Sequence, residues 1–354
     1  MKTLIFVAIF WYFSLIANSQ TTNLSFPKDH SFHPDYNLEW CYFVGNLQTT
    51  LGELGYELSF FRARLNESIE VFPVHFAISE ISKKKHYTAQ GIERKYGGLA
   101  GYSSQKIWSG DYSLEILSSK EFHIQAKPRK QQIALNLYLS ISSEKKILLQ
   151  GKDGFSPKSY RYPEYYSFYY SIPRMQTKGF FVIEGKKIEV LDGTSWMDHE
   201  WSEKGNQKSR LSSSENAWDW VCLNLNDGSE IMAFNFRKSK KDSSESFATW
   251  RKPNGEILYF REPSLVSFVP KTKLWKSPNT SISYPLEWNL RIQEISIEIS
   301  PKIENQEFIA LETTGNIYWE GAVSARGKIF NQEIIGNGYL ELKGYENQSK
   351  ILKK

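Results

Sequence analysis

The chain has 354 residues, with 44 lysines and arginines against 39 aspartates and glutamates, a formal net charge of +5. The cations are scattered in short runs such as Lys83-Lys84-Lys85 and form no basic stripe, which excludes nucleic acid as a partner. Apolar residues at 40% can build a core, the length suits two domains, and aromatics at 15% favour strands and an apolar cavity or interface.

The chain opens "MKTLIFVAIFWYFSLIANSQ". Lys2 gives a positive start, Leu4 to Ile16 an apolar middle, and Ala17-Asn18-Ser19 a small-residue cleavage site. Residues 1–19 are therefore predicted to be a signal peptide, and the mature protein to be secreted or periplasmic. No cysteine stands at the cleavage site, which argues against a lipoprotein, and no later segment is apolar for long enough to span a membrane. The two cysteines, Cys41 and Cys222, lie in strand-like segments; export permits a disulfide, and two buried thiols are the alternative. The sequons at Asn23, Asn66, Asn279 and Asn347 matter only in a glycosylating host.

Alternation with period two then dominates. "YELSFFRAR", "IALNLYLS" (133–140), "DWVCLNL" (219–225) and "GYLELKG" (338–344) read as half-buried antiparallel strands. Turn residues separate such runs, at Gly185-Lys186, Asn226-Asp227-Gly228 and Pro253-Asn254-Gly255. The fold class is predicted to be all-β. Three internal echoes point to two related halves. "EWCYFVGNLQTTLGELGYELSFFR" from Glu39 matches "AWDWVCLNLNDGSEIMAFNFR" from Ala217. "IWSGDYSLEI" from Ile107 matches "LWKSPNTSISYPLEWNLRI" from Leu274. "IEVLDGTSWMDHEW" matches "QEIIGNGYLELKGY". The polar stretch 202–216 is read as linker or long loop, giving domains over 20–205 and 206–354.

"FPKDHSFHPDYNLEWCYFVGNL" (26–47), "GYELSFFR" (55–62), "HFAIS" (75–79), "GTSWMDHEWS" (193–202), "WDW" (218–220), "YPLEW" (284–288), "YWEGAV" (318–323) and "GNGYLELKGY" (336–345) together resemble the AttH-like, hydroxyneurosporene synthase (carotenoid 1,2-hydratase) family. The resemblance covers nearly all of the mature chain. It implies two lipocalin-like antiparallel β-barrel domains, and for the hydratase members a cofactor-free addition of water to an isoprenoid double bond. Residue by residue, His199 and Trp201 match the family's His-x-Trp, and Asp219 is the nearest match to its catalytic acid. The tyrosine expected two residues earlier is Ala217, and one of two tryptophans expected at 40–41 is Cys41, so the hydratase pattern is incomplete.

The chemistry needs an acid that stays protonated in an apolar place and aromatic faces that tolerate a carbocation. Asp198, Glu200 and Asp219 stand among Trp196, Trp201, Trp218 and Trp220, and with Trp40 the tryptophans Trp196, Trp218 and Trp220 are the expected ligand-binding wall. Alternation sends Trp196, Asp198 and Glu200 to one face of a strand and Met197, His199 and Trp201 to the other. It likewise sets Asp219 beside Val221, Leu223 and Leu225, so Asp219 is either a functional acid or paired with a fixed partner such as Arg62, Arg237 or His199. His30 and His33 could extend a metal site around His199, but the leading expectation is no metal: a hydrogen-bonded polar knot of His199, Asp29 and His30 between the domains. No cofactor is expected. Three readings stay open: an exported binder of an apolar lipid or isoprenoid, a hydratase-like enzyme with Asp219, His199 and Trp201 at its site, and a structural protein of the cell envelope serving a membrane-associated export system.

Overall fold

The computed structural model describes residues 23–162, 164–204, 217–237, 244–262 and 264–345. The leader and most of the expected linker lie outside them. A single 3₁₀ turn, Lys28–His30, precedes the first sheet. That sheet begins with four long strands: β1 (Tyr36–Thr49), β2 (Gly52–Asn66), β3 (Ile69–Glu80) and β4 (Lys85–Arg94). Shorter strands follow: β5 (Ala100–Tyr102), β6 (Lys106–Ser109), β7 (Tyr112–Ile116), β8 (Glu121–Ala126), β9 (Ile133–Ser140), β10 (Leu148–Leu149) and β11 (Phe155–Pro157). Two long strands complete it, β12 (Tyr166–Ile183) and β13 (Lys186–Lys204).

The second half runs through β14 (Ala217–Leu225), β15 (Glu230–Arg237), β16 (Glu245–Arg251), β17 (Ile257–Phe260), β18 (Val266–Pro270), β19 (Trp275–Lys276) and β20 (Ser283–Tyr284). It ends with β21 (Trp288–Ile292), β22 (Ile295–Pro301), β23 (Glu307–Ala310), β24 (Asn316–Ile329) and β25 (Gln332–Lys343). All pairings are antiparallel, and the chain is all-β and lipocalin-like.

The first sheet has the order β4-β3-β2-β1-β13-β12-β9-β8-β7-β6-β5, and the second the order β17-β16-β15-β14-β25-β24-β22-β21-β18. In each, a four-stranded meander leads and its first strand pairs with the last strand of the half. Each sheet curls until its ends meet. In the first, Ser109 Oγ on β6 donates to the Phe72 carbonyl on β3 at 2.7 Å. Gly91 on β4 lies under the Tyr112 ring; an added Cβ would stand 2.8 Å from a ring carbon, so the closure needs a glycine there. In the second, β18 returns against β15 and β16.

The first echo falls on the opening hairpins β1–β2 and β14–β15, and the third on the closing strands β13 and β25. The middle echo does not fall on matching places, because β6–β7 lie near the far edge of their sheet while 274–292 crosses from the separate β19–β20 pair into β21.

Alternation sorts each strand's side chains between two environments. Cys41, Phe43 and Leu47 of β1 enter the first barrel, with Met197 and Trp201 of β13. Val221, Leu223 and Leu225 of β14 fill the second, with Leu340 and Leu342 of β25. Each such buried side chain contributes roughly 1.5–3 kcal/mol relative to exposure. The opposite faces of the same strands meet between the sheets: Tyr42 and Val44 on one side, Trp220, Cys222 and Tyr339 on the other. This seam positions the candidate site. The two cysteines are free, Cys41 inside the first barrel and Cys222 on the seam, which decides the sequence alternative in favour of buried thiols.

Candidate functional site

Three histidines, His30, His33 and His199, gather at one end of the first barrel, where residues 23–35 cross it. Glu39 of β1 is fully buried, and its Oε1 lies 2.6 Å from His33 Nδ1 and 2.8 Å from His199 Nε2. Its Oε2 accepts from the His33 backbone N–H at 2.7 Å, and Arg62 stands 3.7 Å away. His33 stacks on Trp201 at 4.0 Å between ring centres, and its Nε2 faces Asp29 Oδ1 at 3.3 Å. Tyr170 OH lies between His30 Nδ1 at 2.7 Å and His199 Nδ1 at 3.0 Å.

Burial lowers the pKa of His30, to about 4, and that of His199. For His33 the hydrogen bonds to Asp29 and Glu39 outweigh burial and raise it to about 9. Burial opposes ionisation of Glu39, but His199 and His33 hold its pKa below the usual range.

The expected polar knot exists, with a correction to its place. It sits inside the first barrel rather than between the domains, because alternation turns His199 and Trp201 inward with Met197. Three of its ligand-type atoms, on His33, Glu39 and His199, lie within 4.8 Å of one another. They already satisfy each other by hydrogen bonds, and the adjacent Arg62 cation disfavours a metal there.

Asp219 takes the second of its two expected states, with Arg237 as the fixed partner. It is buried inside the second barrel and meets neither His199 nor Trp201. Asn235 Nδ2 donates to its Oδ2 at 2.8 Å, Arg237 donates to both oxygens at 2.8 and 3.2 Å, and Tyr345 OH donates to Oδ1 at 2.8 Å. Burial pushes its pKa up against these partners. With both oxygens engaged by an arginine fork, the carboxylate is a structural anchor, and neither oxygen is left for a substrate. The predicted catalytic trio is thus divided between two barrels.

The four tryptophans of the expected ligand wall do come together. Trp196 and Trp220 are buried in the seam, and Trp40 and Trp218 pack against them half-buried at its margin. Around them stand five carboxyls. Asp198 accepts from Tyr169 OH at 2.8 Å, Ser171 Oγ at 2.5 Å and Trp196 Nε1 at 2.7 Å. Glu200 pairs with Lys158 at 2.7 Å. Glu320 of β24 takes a hydrogen bond from Tyr42 OH at 2.5 Å across the seam. Glu57 of β2, buried, and Glu341 of β25, half-buried, complete the set in their strands' seam-facing rows.

Burial raises the pKa of Asp198 to about 7, of Glu341 to about 7 and of Glu57 to about 8. Glu320 is pushed well up, by burial first and then by the neighbouring Glu57 and Glu341. These carboxyls face indole and phenol rings while carrying protons near neutrality, which is the arrangement an acid needs to protonate an apolar substrate.

Sequence reasoning passed over Glu57, Glu320, Glu341, Tyr42 and Tyr169. A signal was present: "GYELSFF" and "YWEGAV" each set a glutamate inside an otherwise apolar or aromatic run. A cleft of about 340 Å³ opens elsewhere, at the end of the first barrel, among Arg64, Glu67, Glu70, Lys95 and Tyr102. Its polar walls do not match the aromatic cavity expected for an apolar ligand.

A family model described as AttH-like matches residues 17–345. The chain belongs to the AttH-like family. The crystal structure of an AttH protein from Nitrosomonas europaea is 31% identical, covers 94% of this chain and 99% of its own, and superimposes with a TM-score of 0.81. Kievitone hydratase from Fusarium solani subsp. phaseoli is 22% identical over 178 residues, 49% of this AttH-like chain and 48% of that protein, so the match spans about half of the relative's length. The crystal structure of kievitone hydratase from Nectria haematococca shares the fold, with a TM-score of 0.66 at 17% identity over 87% of this chain and 89% of its own. The AttH-like fold therefore extends to proteins named as hydratases.

Proposed function

We propose that this AttH-like protein is a hydratase that adds water to a carbon–carbon double bond of an apolar small molecule, of the lipid or isoprenoid class, at the seam between its two barrels. The observation that carries this reading is the group of carboxyls buried among tryptophans and tyrosines, with no cation beside Glu320 among the described residues, where burial raises their pKa. Glu320 is the acid. It keeps its proton because burial and two neighbouring carboxyls disfavour its charge. The Trp196 and Trp220 faces favour the carbocation formed by proton transfer, and the half-buried Trp40 and Trp218 mark the side from which the substrate enters. Asp198, held by three donors, orients Tyr169 and Trp196. The hydratase relatives support the reaction class. The leader-like start of the chain supports placing this activity outside the cytoplasm.

The test is turnover of terminally unsaturated isoprenoids by the purified protein, with products followed by mass spectrometry. Gain of one water by wild type, and its loss in Glu320→Gln with the fold retained, is the expected result. Retained binding without turnover in the wild type would leave the carrier reading instead.

A further inference from the structure

Glu57 enters a line of side chains that leaves the seam. Tyr318 OH lies 3.3 Å from Glu57 Oε1 and 2.7 Å from His75 Nδ1. His75 Nε2 lies 2.9 Å from Thr313 Oγ1, which donates to Gln90 Oε1 at 2.9 Å. Gln90 Nε2 donates to the Ile309 carbonyl at 2.9 Å, which fixes the orientation of that amide. Glu57 and His75 belong to the first sheet and Tyr318 to the second, so the line crosses between them, and Thr313 is half-buried in the exposed turn after β23.

The direction of each hydrogen bond follows from its neighbours. Gln90 Oε1 can only accept, so Thr313 gives its hydroxyl proton there and accepts from His75 Nε2–H. His75 sits between the rings of Phe61, Phe308 and Tyr318, and burial lowers its pKa to about 3, so it is neutral and its Nδ1 is an acceptor. Tyr318 must therefore donate to His75. Its oxygen is left to accept, and the remaining contact makes Glu57 the donor, as a carboxylic acid. Ser59 Oγ also donates to Glu57 Oε1 at 2.7 Å, while among the described residues Oε2 has no hydrogen-bond partner. The other titratable groups acting on Glu57 from the packed strands are Tyr42, Tyr339, Glu320 and Glu341, which supply no cation.

We propose that Glu57 is the proton acceptor of the seam, with Tyr318, His75 and Thr313 as the relay that carries the proton outward. The proposal rests on the hydration reading above. As water bonds to the carbocation, its O–H bond breaks and the proton goes to the free Oε2. The Oε1–H proton passes to Tyr318, the Tyr318 proton to His75 Nδ1, and the Nε2 proton to Thr313 Oγ1, whose own hydroxyl proton turns from Gln90 and leaves to solvent water at the exposed turn, while Glu320 regains a proton from solvent. The residues' protons are conserved at each transfer, and no oxidant or cofactor is required. Glu57 is the catalytic residue; Tyr318 and His75 are positioning residues that set its protonation.

Two measurements test the relay without any substrate, so they stand or fall separately from turnover. Nitrogen NMR of the wild type reads the His75 tautomer. The Nε2–H form at neutral pH is expected, and the Nδ1–H form or an imidazolium would overturn the relay. An infrared pH titration follows the carboxylic-acid carbonyl band that disappears in Glu57→Gln. In Tyr318→Phe the protonated carboxyl loses its acceptor, so the titration point of that band is expected to fall. A point that rises would mean that Tyr318 donates to a carboxylate, and the assignment would be wrong.

Discussion

Asp219 and Glu320 are both buried carboxyls, and their partners differ in kind. Asp219 meets an arginine, an amide and a phenol that occupy both oxygens. Asp219→Asn should therefore lower stability by about 3 kcal/mol, since removing one member of a buried pair strands the other, while leaving turnover per folded molecule unchanged. Urea midpoints and an activity assay on the same samples check both halves of this expectation. Glu320 has carboxyl neighbours in place of a cation, so its folded pKa is raised, as are those of Glu57, Glu341 and Asp198. A raised carboxyl pKa means that the folded state binds more protons than the unfolded one. The stabilisation is complete below the unfolded carboxyl pKa and is lost as pH rises through about 7 to 8. Urea midpoints measured from pH 5 to 9 should fall across that window from these groups, and fall less in Glu57→Gln. Asp219 was legible as a buried carboxyl with a fixed partner, since alternation put it beside Val221 and Leu223. The occupation of both its oxygens by Arg237 and Tyr345 was not legible, because only the barrel's closure brings those side chains to it.

At the scale of elements, the segment before β1 is held across the barrel end by Arg62 and His33. Arg62 donates to the carbonyls of His33 at 3.0 Å and Tyr36 at 2.8 Å, and to Glu70 at 2.5 Å. A lysine cannot reach several acceptors in fixed directions, so Arg62→Lys should cost roughly 2–3 kcal/mol. It should also speed hydrogen exchange at the amides of Asp29 and His30, which mass spectrometry reads directly. His33 acts with the opposite residue type but the same sign of pH dependence as the seam carboxyls. Its pKa is raised to about 9, so its contribution is complete below the unfolded histidine value and is lost as pH rises through 9. The faces of β13 were legible from alternation: Trp196, Asp198 and Glu200 do share one side, and His199 and Trp201 the other. The location of the knot was not, because period two says which residues share a face and not whether that face looks into a barrel or onto a neighbouring sheet.

For the whole molecule, two sheets of like strand order place a shared boundary between them, and buried carboxyls gather there among tryptophans and tyrosines. The repeat of hairpin and closing strand was readable because turn residues and aromatic strands recur in the same order at both ends of each half. The seam itself depends on the packing of β1 and β2 against β24 and β25, which no local pattern encodes. For that reason Glu57 and Glu320, more than 260 residues apart in sequence, could not be grouped beforehand. The central claim is that water is added at this boundary. The most direct measurement is incubation of wild type and Glu320→Gln with unsaturated isoprenoids in water labelled with heavy oxygen, followed by mass spectrometry of the extracts. Labelled alcohol from the wild type alone is the predicted result. Labelled alcohol formed equally by Glu320→Gln would contradict the assignment of the seam as the site.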